Sequence, residues 1–314
     1  MRILVTGISG FVGQHLARAL LAHGHEVAGT CLDECVPLPG AERTIELYRL
    51  DLAAERERID VDLRAAMAAF RPERIVHLAG LAHVGRSWTE TAAYERVNVE
   101  GTQAVLDAAV DVPVLFTSSA EVYGAVPEGE QPIAETRAPA PASPYGRNKA
   151  AGERLVLARG GVVARPFNLI GPGQAPHFAL PTFARQLAAI EAGSQPPLLA
   201  VGNLDARRDF VHVADGAEAL ALLVERGEPG AVYNVARGEA ISIREALDLL
   251  LAAAGVAVET TVDERFLRPS DTPVLAGSAE PLRRLGWSPR RSTAEAIADL
   301  WEWSREQVAA EALR

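Results

Sequence analysis

Lysine is almost absent from this chain. Of its 31 basic residues only Lys149 is a lysine; the other 30 are arginines. Cysteine is scarce as well. Cys31 and Cys35 fall in a loop without the further Cys or His that a zinc site would need, so they read as reduced thiols. No apolar run reaches the ~18 residues of a membrane span, and the first residues read as a strand rather than a signal sequence. Positive charge is not in excess. The formal charge of −10 argues against nucleic-acid and anionic-membrane partners, since both need a basic face. What these absences leave is an ordinary globular composition, 48% hydrophobic and 23% charged. Chains longer than roughly 250–300 residues tend to divide, so 314 residues predict one large domain with a smaller one attached. The expected compartment is cytoplasmic.

The chain opens with Arg2-Ile3-Leu4-Val5-Thr6, an apolar run without alternation, as in a strand buried on both faces. It leads into Gly7-Ile8-Ser9-Gly10-Phe11-Val12-Gly13 and then a helical pattern from Phe11 to Ala22. Glycines at this spacing, between a strand and a helix, allow a tight turn, close approach to a diphosphate and close helix packing. The free N–H groups of the helix start would hold the diphosphate. Further βα alternation follows, with strands at Glu26–Thr30, Ile45–Leu50, Arg74–Leu78, Val112–Phe116 and Val162–Arg165. Helices are predicted around Ala65–Phe70 and over Ala92–Ala109. The fold class is therefore α/β, a doubly wound parallel sheet of the Rossmann type. Ligands in such sheets bind outside the carboxyl ends of the strands. Those ends carry Asp51-Leu52, then Leu78-Ala79-Gly80, then Thr117-Ser118-Ser119-Ala120-Glu121, then Arg165-Pro166-Phe167-Asn168. After strand two, Cys31 and Leu32 stand where an acid would favour NAD and an arginine NADP, with Asp33 slightly late.

Ser143-Pro144-Tyr145-Gly146-Arg147-Asn148-Lys149 holds the single lysine four residues after a tyrosine. On a helix those two side chains share one face and can enter the same pocket. An ammonium is compact and its pKa moves on burial, whereas a guanidinium is broad and fixed in charge. In a chain otherwise biased to arginine, this position reads as one where arginine cannot serve. Five prolines (Pro127, Pro132, Pro139, Pro141 and Pro144) form a stiff loop before that helix, either a wall of the site or a surface excursion. Beyond Gly171 short strands and helices alternate, with helices at Pro181–Ala192, Ala214–Glu225, Ile243–Ala254 and Ala294–Ala309. Arg207-Arg208-Asp209 and Arg268-Pro269-Ser270-Asp271 put arginines in loops, fit for a diphosphate.

The glycine motif at 7–13, Ser119 and the Tyr145-x-x-x-Lys149 pair resemble the extended short-chain dehydrogenase/reductases that act on sugar nucleotides, over nearly the whole chain. The segments 202–209 and 268–271 are similar to those of enzymes handling GDP-mannose derivatives. Phe167–Gln174 and Ala231–Val235 are most similar to reductases of GDP-4-keto-6-deoxy sugars. The resemblance implies a Rossmann domain of residues 1–168 plus roughly 208–237, and a smaller α/β sugar-nucleotide domain of 169–207 and 238–314. It implies NAD(P)H, with NADPH against NADH unresolved. The cofactor would be bound by Gly7, Ser9, Gly10, Phe11, Val12, Gly13, Asp51, Leu52, Leu78, Ala79, Gly80, Asn98, Thr117, Tyr145, Lys149 and Pro166. Ser119, Tyr145 and Lys149 would be catalytic, with Lys149 lowering the phenol's pKa, and Glu121 either catalytic or substrate-positioning. Glu121, Asn168, Asn203, Arg208, Arg268 and Asp271 would bind a GDP-sugar. The implied reaction is reduction of a 4-ketone to a GDP-rhamnose-type product, in a homodimer built on a four-helix bundle, with no metal. A GDP-mannose 4,6-dehydratase, a sugar-nucleotide 4-epimerase and a non-catalytic NAD(P) sensor are the alternatives.

Overall fold

Strand and helix alternate from the first residue of the computed structural model, which describes residues 1–32, 45–266 and 272–312. In the first half the order is β1 (Arg2–Thr6), α1 (Phe11–Ala22), β2 (Glu26–Cys31), β3 (Glu46–Arg49), α2 (Arg56–Phe70), β4 (Arg74–His77), α3 (Thr91–Glu95), α4 (Gly101–Ala108), β5 (Val114–Thr117), α5 (Pro144–Leu157) and β6 (Val162–Pro166). The second half adds β7 (Asn168–Ile170), α6 (Ala179–Glu191), β8 (Leu198–Val201), β9 (Arg207–Arg208), β10 (Phe210–His212), α7 (Val213–Arg226) and β11 (Val232–Val235). It ends with β12 (Ile241–Ser242), α8 (Ile243–Ala254), β13 (Glu259–Val262), β14 (Val274–Leu275), α9 (Glu280–Arg284) and α10 (Thr293–Ala312).

Seven strands form one parallel sheet in the order β3-β2-β1-β4-β5-β6-β11. Ile3, Leu4 and Val5 of β1 are fully buried, which is why this strand shows no polar alternation. The order reverses between β1 and β4, and a crevice opens there at the strand ends. The remaining strands make small ribbons: β12-β9-β14, β10-β7 and β13-β8. Apolar side chains cluster on each side of the large sheet. A separate cluster joins α6, α8 and α10 around Phe183, Leu247 and Trp301. Residues Leu275 to Trp287 pack instead with the large sheet.

Three expectations change. The helix foreseen over Ala92–Ala109 is interrupted by a π turn at Arg96–Glu100. There the Thr102 hydroxyl donates to the Asn98 carbonyl at 2.7 Å, competing with the regular ladder, and Gly101 lies against Leu52. Cys31, read as a free thiol, is disulfide-bonded. Arg207 and Arg208, expected in a loop, form the strand β9 between β12 and β14.

The proline-rich loop is tied down rather than loose on the surface. Ile133 is fully buried, and its N–H donates to the Ala276 carbonyl at 2.8 Å while its own carbonyl accepts from Ser278. Gln131 adds bonds to Val274 and Ala276. The loop's end, Ala142 and Ser143, lines the cleft described next.

Candidate active site

The glycine turn meets its mechanical expectations. Gly7 has φ +70°, and a Cβ there would fall 2.9 Å from Ala79 Cα, so β1 and β4 can approach only with glycine. A Cβ on Gly13 would lie 2.5 Å from the Gly7 carbonyl oxygen, which fixes how closely α1 packs on β1. Gly10 caps α1, and Ser9 beside it is exposed at the helix mouth. Along the same edge Asp51 is half-buried and accepts from the Ala53 N–H at 2.8 Å, while Leu52 is buried. Asn98 is buried and its amide grips one residue both ways: it accepts from the Leu81 N–H at 2.8 Å and donates to the Leu81 carbonyl at 2.9 Å. It anchors the segment Leu78-Ala79-Gly80-Leu81 on the cleft edge, from its place in the π turn.

From this edge a cleft of about 670 Å³ runs past Phe11, Val12, Leu78, Gly80 and Pro166 to the second half of the chain. Tyr145 and Lys149 enter it together from α5, as their spacing predicts. Ser143 caps that helix, its hydroxyl accepting from the Gly146 N–H at 3.0 Å, and Pro144 occupies the first turn. Both pocket side chains are buried. The Lys149 ammonium donates to the Thr117 carbonyl at 2.9 Å and sits 4.8 Å from the centre of the Phe116 ring. Burial lowers its pKa to about 8, against the opposing pull of the Glu153 carboxylate. For Tyr145 the protein's own surroundings act upward. Burial pushes the phenol above its usual value, a hydrogen bond with Ser119 works the other way, and Glu121 adds to the rise. One N–H of the ammonium is spent on Thr117, and the phenol that burial holds protonated is in the form a proton donor needs.

Ser119 begins a single 3₁₀ turn, Ala120–Tyr123, accepting from the Glu121 N–H at 3.2 Å. Glu121 is half-buried on the cleft wall, with the Ser143 hydroxyl 3.5 Å from its carboxylate. At the other end of the cleft stand Asn168, Asn203 and Arg208. The neighbouring Arg207 turns outward instead, toward Glu128 and the Ala240 carbonyl. Arg268 and Asp271 lie outside the described residues, as does Asp33. Three buried polar atoms of the cleft residues, Thr117 Oγ1, Asn168 Oδ1 and Gln174 Oε1, have no hydrogen-bond partner in the protein. Such atoms fit a hydroxyl-rich ligand spanning both ends, and the glycine turn fits its diphosphate.

The sequence profile of the GDP-mannose 4,6 dehydratase family matches residues 4–300. The chain belongs to the extended short-chain dehydrogenase/reductase family. It is 36% identical to the GDP-6-deoxy-D-mannose reductase of Pseudomonas aeruginosa, over 96% of this chain and 97% of that protein. The structure of RMD from Pseudomonas aeruginosa complexed with NADPH superimposes with a TM-score of 0.84 at 34% identity, covering 98% and 99% of the two chains. The UDP-glucose 4-epimerase of Thermus thermophilus in complex with NAD gives 0.85 at 32% identity, covering 97% and 99%. Within this family the chain is an NAD(P)-dependent enzyme of sugar-nucleotide conversion. No helix among the described residues is long and apolar enough to cross a membrane.

One part of this short-chain dehydrogenase/reductase site has no counterpart in the sequence reading. Glu153, one further turn along α5 from Lys149, pairs with Arg165 of β6 through bonds of 2.8 and 2.6 Å, and both side chains are buried. Ser118 donates to the same carboxylate at 2.5 Å. Arg165 also donates to the Tyr123 hydroxyl at 2.9 Å, which in turn donates to Asn234 at 2.7 Å. Asn234 then holds the carbonyls of Ile133 and Ser278. The network fixes the backbone at 117–119 from below, and with it the carbonyl that orients Lys149. A sequence signal existed: Tyr145, Lys149 and Glu153 repeat at four-residue spacing along one helix face.

Proposed function

We propose that the protein reduces the C4 ketone of a GDP-4-keto-6-deoxyhexose, using NADPH or NADH. The observation that carries the reading is the buried, protonated Tyr145 hydrogen-bonded to Ser119, in a cleft whose far end presents Arg208 and Asn168. Reduced nicotinamide supplies the hydride when bound. Tyr145 gives its proton to the oxygen that becomes the C4 hydroxyl, and Ser119 holds that oxygen during the transfer. Lys149, held by Thr117, places its charge beside the phenol as it turns anionic. Arg208 would pair with the sugar-nucleotide diphosphate, with Asn203 beside it and Asn168 on the sugar. The 36% identity to a GDP-6-deoxy-D-mannose reductase supports the choice of reduction and of GDP.

Glu121 favours a second reading, a GDP-mannose 4,6-dehydratase, because a carboxylate on the cleft wall beside Tyr145 could serve an elimination. Stoichiometry separates the two. Mixed with GDP-4-keto-6-deoxymannose, a reductase oxidises one equivalent of NAD(P)H per product, followed by the loss of reduced-nicotinamide absorbance. Consumption of GDP-mannose without net redox, and no oxidation of NAD(P)H by the keto sugar, would overturn the reduction. Two copies would pair through the outward faces of α5 and the Thr91–Ala108 segment, where Ala92 and Ala93 are exposed, as a four-helix bundle. Sedimentation at a monomer's mass would remove the dimer.

A further inference from the structure

Far from the cleft, α1, β2 and α7 bring together two histidines and two glutamates that no part of the reaction uses. His23 closes the C-terminal end of α1, His25 directly precedes β2, and Glu218 and Glu225 face them from α7. His25 Nε2 is 2.8 Å from Glu225 Oε1, and His23 Nδ1 is 3.1 Å from the same oxygen. The ligand-capable atoms of His23, His25 and Glu225 all lie within 4.8 Å of one another. We propose that these three side chains form a binding site for a divalent transition metal of the zinc class.

The second ring nitrogen of His23 supports metal binding beyond mere proximity. With a metal on Nδ1, His23 keeps its Nε2–H for the Glu218 carboxylate, 3.0 Å away. Metal-bound imidazoles are commonly oriented by such an outer carboxylate. His25 would bind through Nε2, the nitrogen that faces Glu225, and the Met1 amino group 3.4 Å from its Nδ1 would have to turn aside from the Nδ1–H. Neighbouring ligand atoms in a tetrahedral zinc site lie ~3.3 Å apart, given bonds near ~2.0 Å. Small side-chain rotations therefore close the cluster. Two imidazoles and one carboxylate suit zinc, cobalt, nickel or copper rather than calcium or magnesium, which prefer all-oxygen sites. His25 is buried and Glu225 half-buried, while His23 leaves an approach from solvent.

The site would clamp α1 and the start of β2 onto α7. The 12 residues of α1 separate it from the glycine turn by about 18 Å, at ~1.5 Å per residue. Its metal would thus stabilise the fold and leave the chemistry untouched.

The test titrates the tag-free, EDTA-stripped chain with Co²⁺ and then Zn²⁺. One equivalent of cobalt should bind with visible d–d absorption, zinc should displace it, and zinc should raise the unfolding temperature. Glu225→Gln and His23→Gln should each weaken binding at least tenfold, with NAD(P)H binding unchanged as the control for folding. Glu218→Gln should weaken it by roughly 10- to 100-fold, the range measured for outer-sphere partners. Absence of the cobalt spectrum overturns the proposal, and so does binding that survives Glu225→Gln and His23→Gln unchanged.

Discussion

The two ends of the cleft are built differently. Tyr145 and Lys149 stand on a helix of 14 residues laid across the large sheet, over an ion pair whose side chains are only 4% and 3% exposed. Arg208 and Asn203 stand on or beside β8, β9 and β14, ribbons of two to four residues. One end is over-determined by packing and buried charge, and the other is held by a few backbone bonds. The difference teaches where such a scaffold can change. Groups that move a proton must stay within a fraction of an ångström, so they sit where nothing else can move. If, as proposed, Arg208 and Asn203 meet the sugar nucleotide, such groups can be exchanged on short ribbons without disturbing the sheet.

Substitutions at each end should break this comparison in different ways. Lys149→Arg should have the largest effect, a loss of about a thousandfold or more in turnover, since removal of acid–base catalysis costs 10²–10⁴-fold. Near-normal turnover in that variant would show that the ammonium is replaceable. Beneath it, Arg165→Met should leave a buried carboxylate unpaired and cost about 3–5 kcal/mol of stability. Thermal unfolding would register this, and the double change Glu153→Met with Arg165→Met should recover most of it. At the ribbon end, Arg208→Ala should raise KM for the sugar nucleotide by roughly 10- to 100-fold, as expected for a charge-assisted bond of about 1.5–3 kcal/mol, with kcat nearly unchanged. A fall in kcat instead would place Arg208 in the chemistry. Smallest of all, Glu121→Gln should lower ketone reduction by less than about tenfold, short of the effect of a working acid or base. A hundredfold loss would sharpen the case for elimination.

Much of the catalytic end was legible in the chain itself. The first strand and helix appear at the residues their patterns indicate, and the lone lysine directs attention to α5. What stayed hidden were partnerships across the sequence. Glu153 looks like any helix glutamate until Arg165, 12 residues on, is seen turned inward beneath it. Asn98 grips Leu81 from a π turn that leaves no mark in a helical pattern. The phenol's raised pKa depends on burial and on the nearby Glu121 carboxylate, neither of which spacing encodes. At the ribbon end, alternation along two residues decides that Arg208 enters the cleft and Arg207 leaves it.

The π turn at Arg96–Glu100 has a consequence for the whole helical segment from Thr91 to Ala108. One extra residue in a turn acts as a phase shifter: each half of the segment faces its own neighbours, in a rotation the other half does not share. Were this turn to wind as regular α-helix with every residue kept, about 100° of rotation, one residue's share of a 3.6-residue turn, would separate the halves from their present settings. Tyr94, now donating to the His83 carbonyl, and Asn98, now gripping Leu81, could no longer both keep their partners. An apparent irregularity of the backbone is thus a clutch, holding the loop after β4 at both Leu81 and His83 where it borders the cleft.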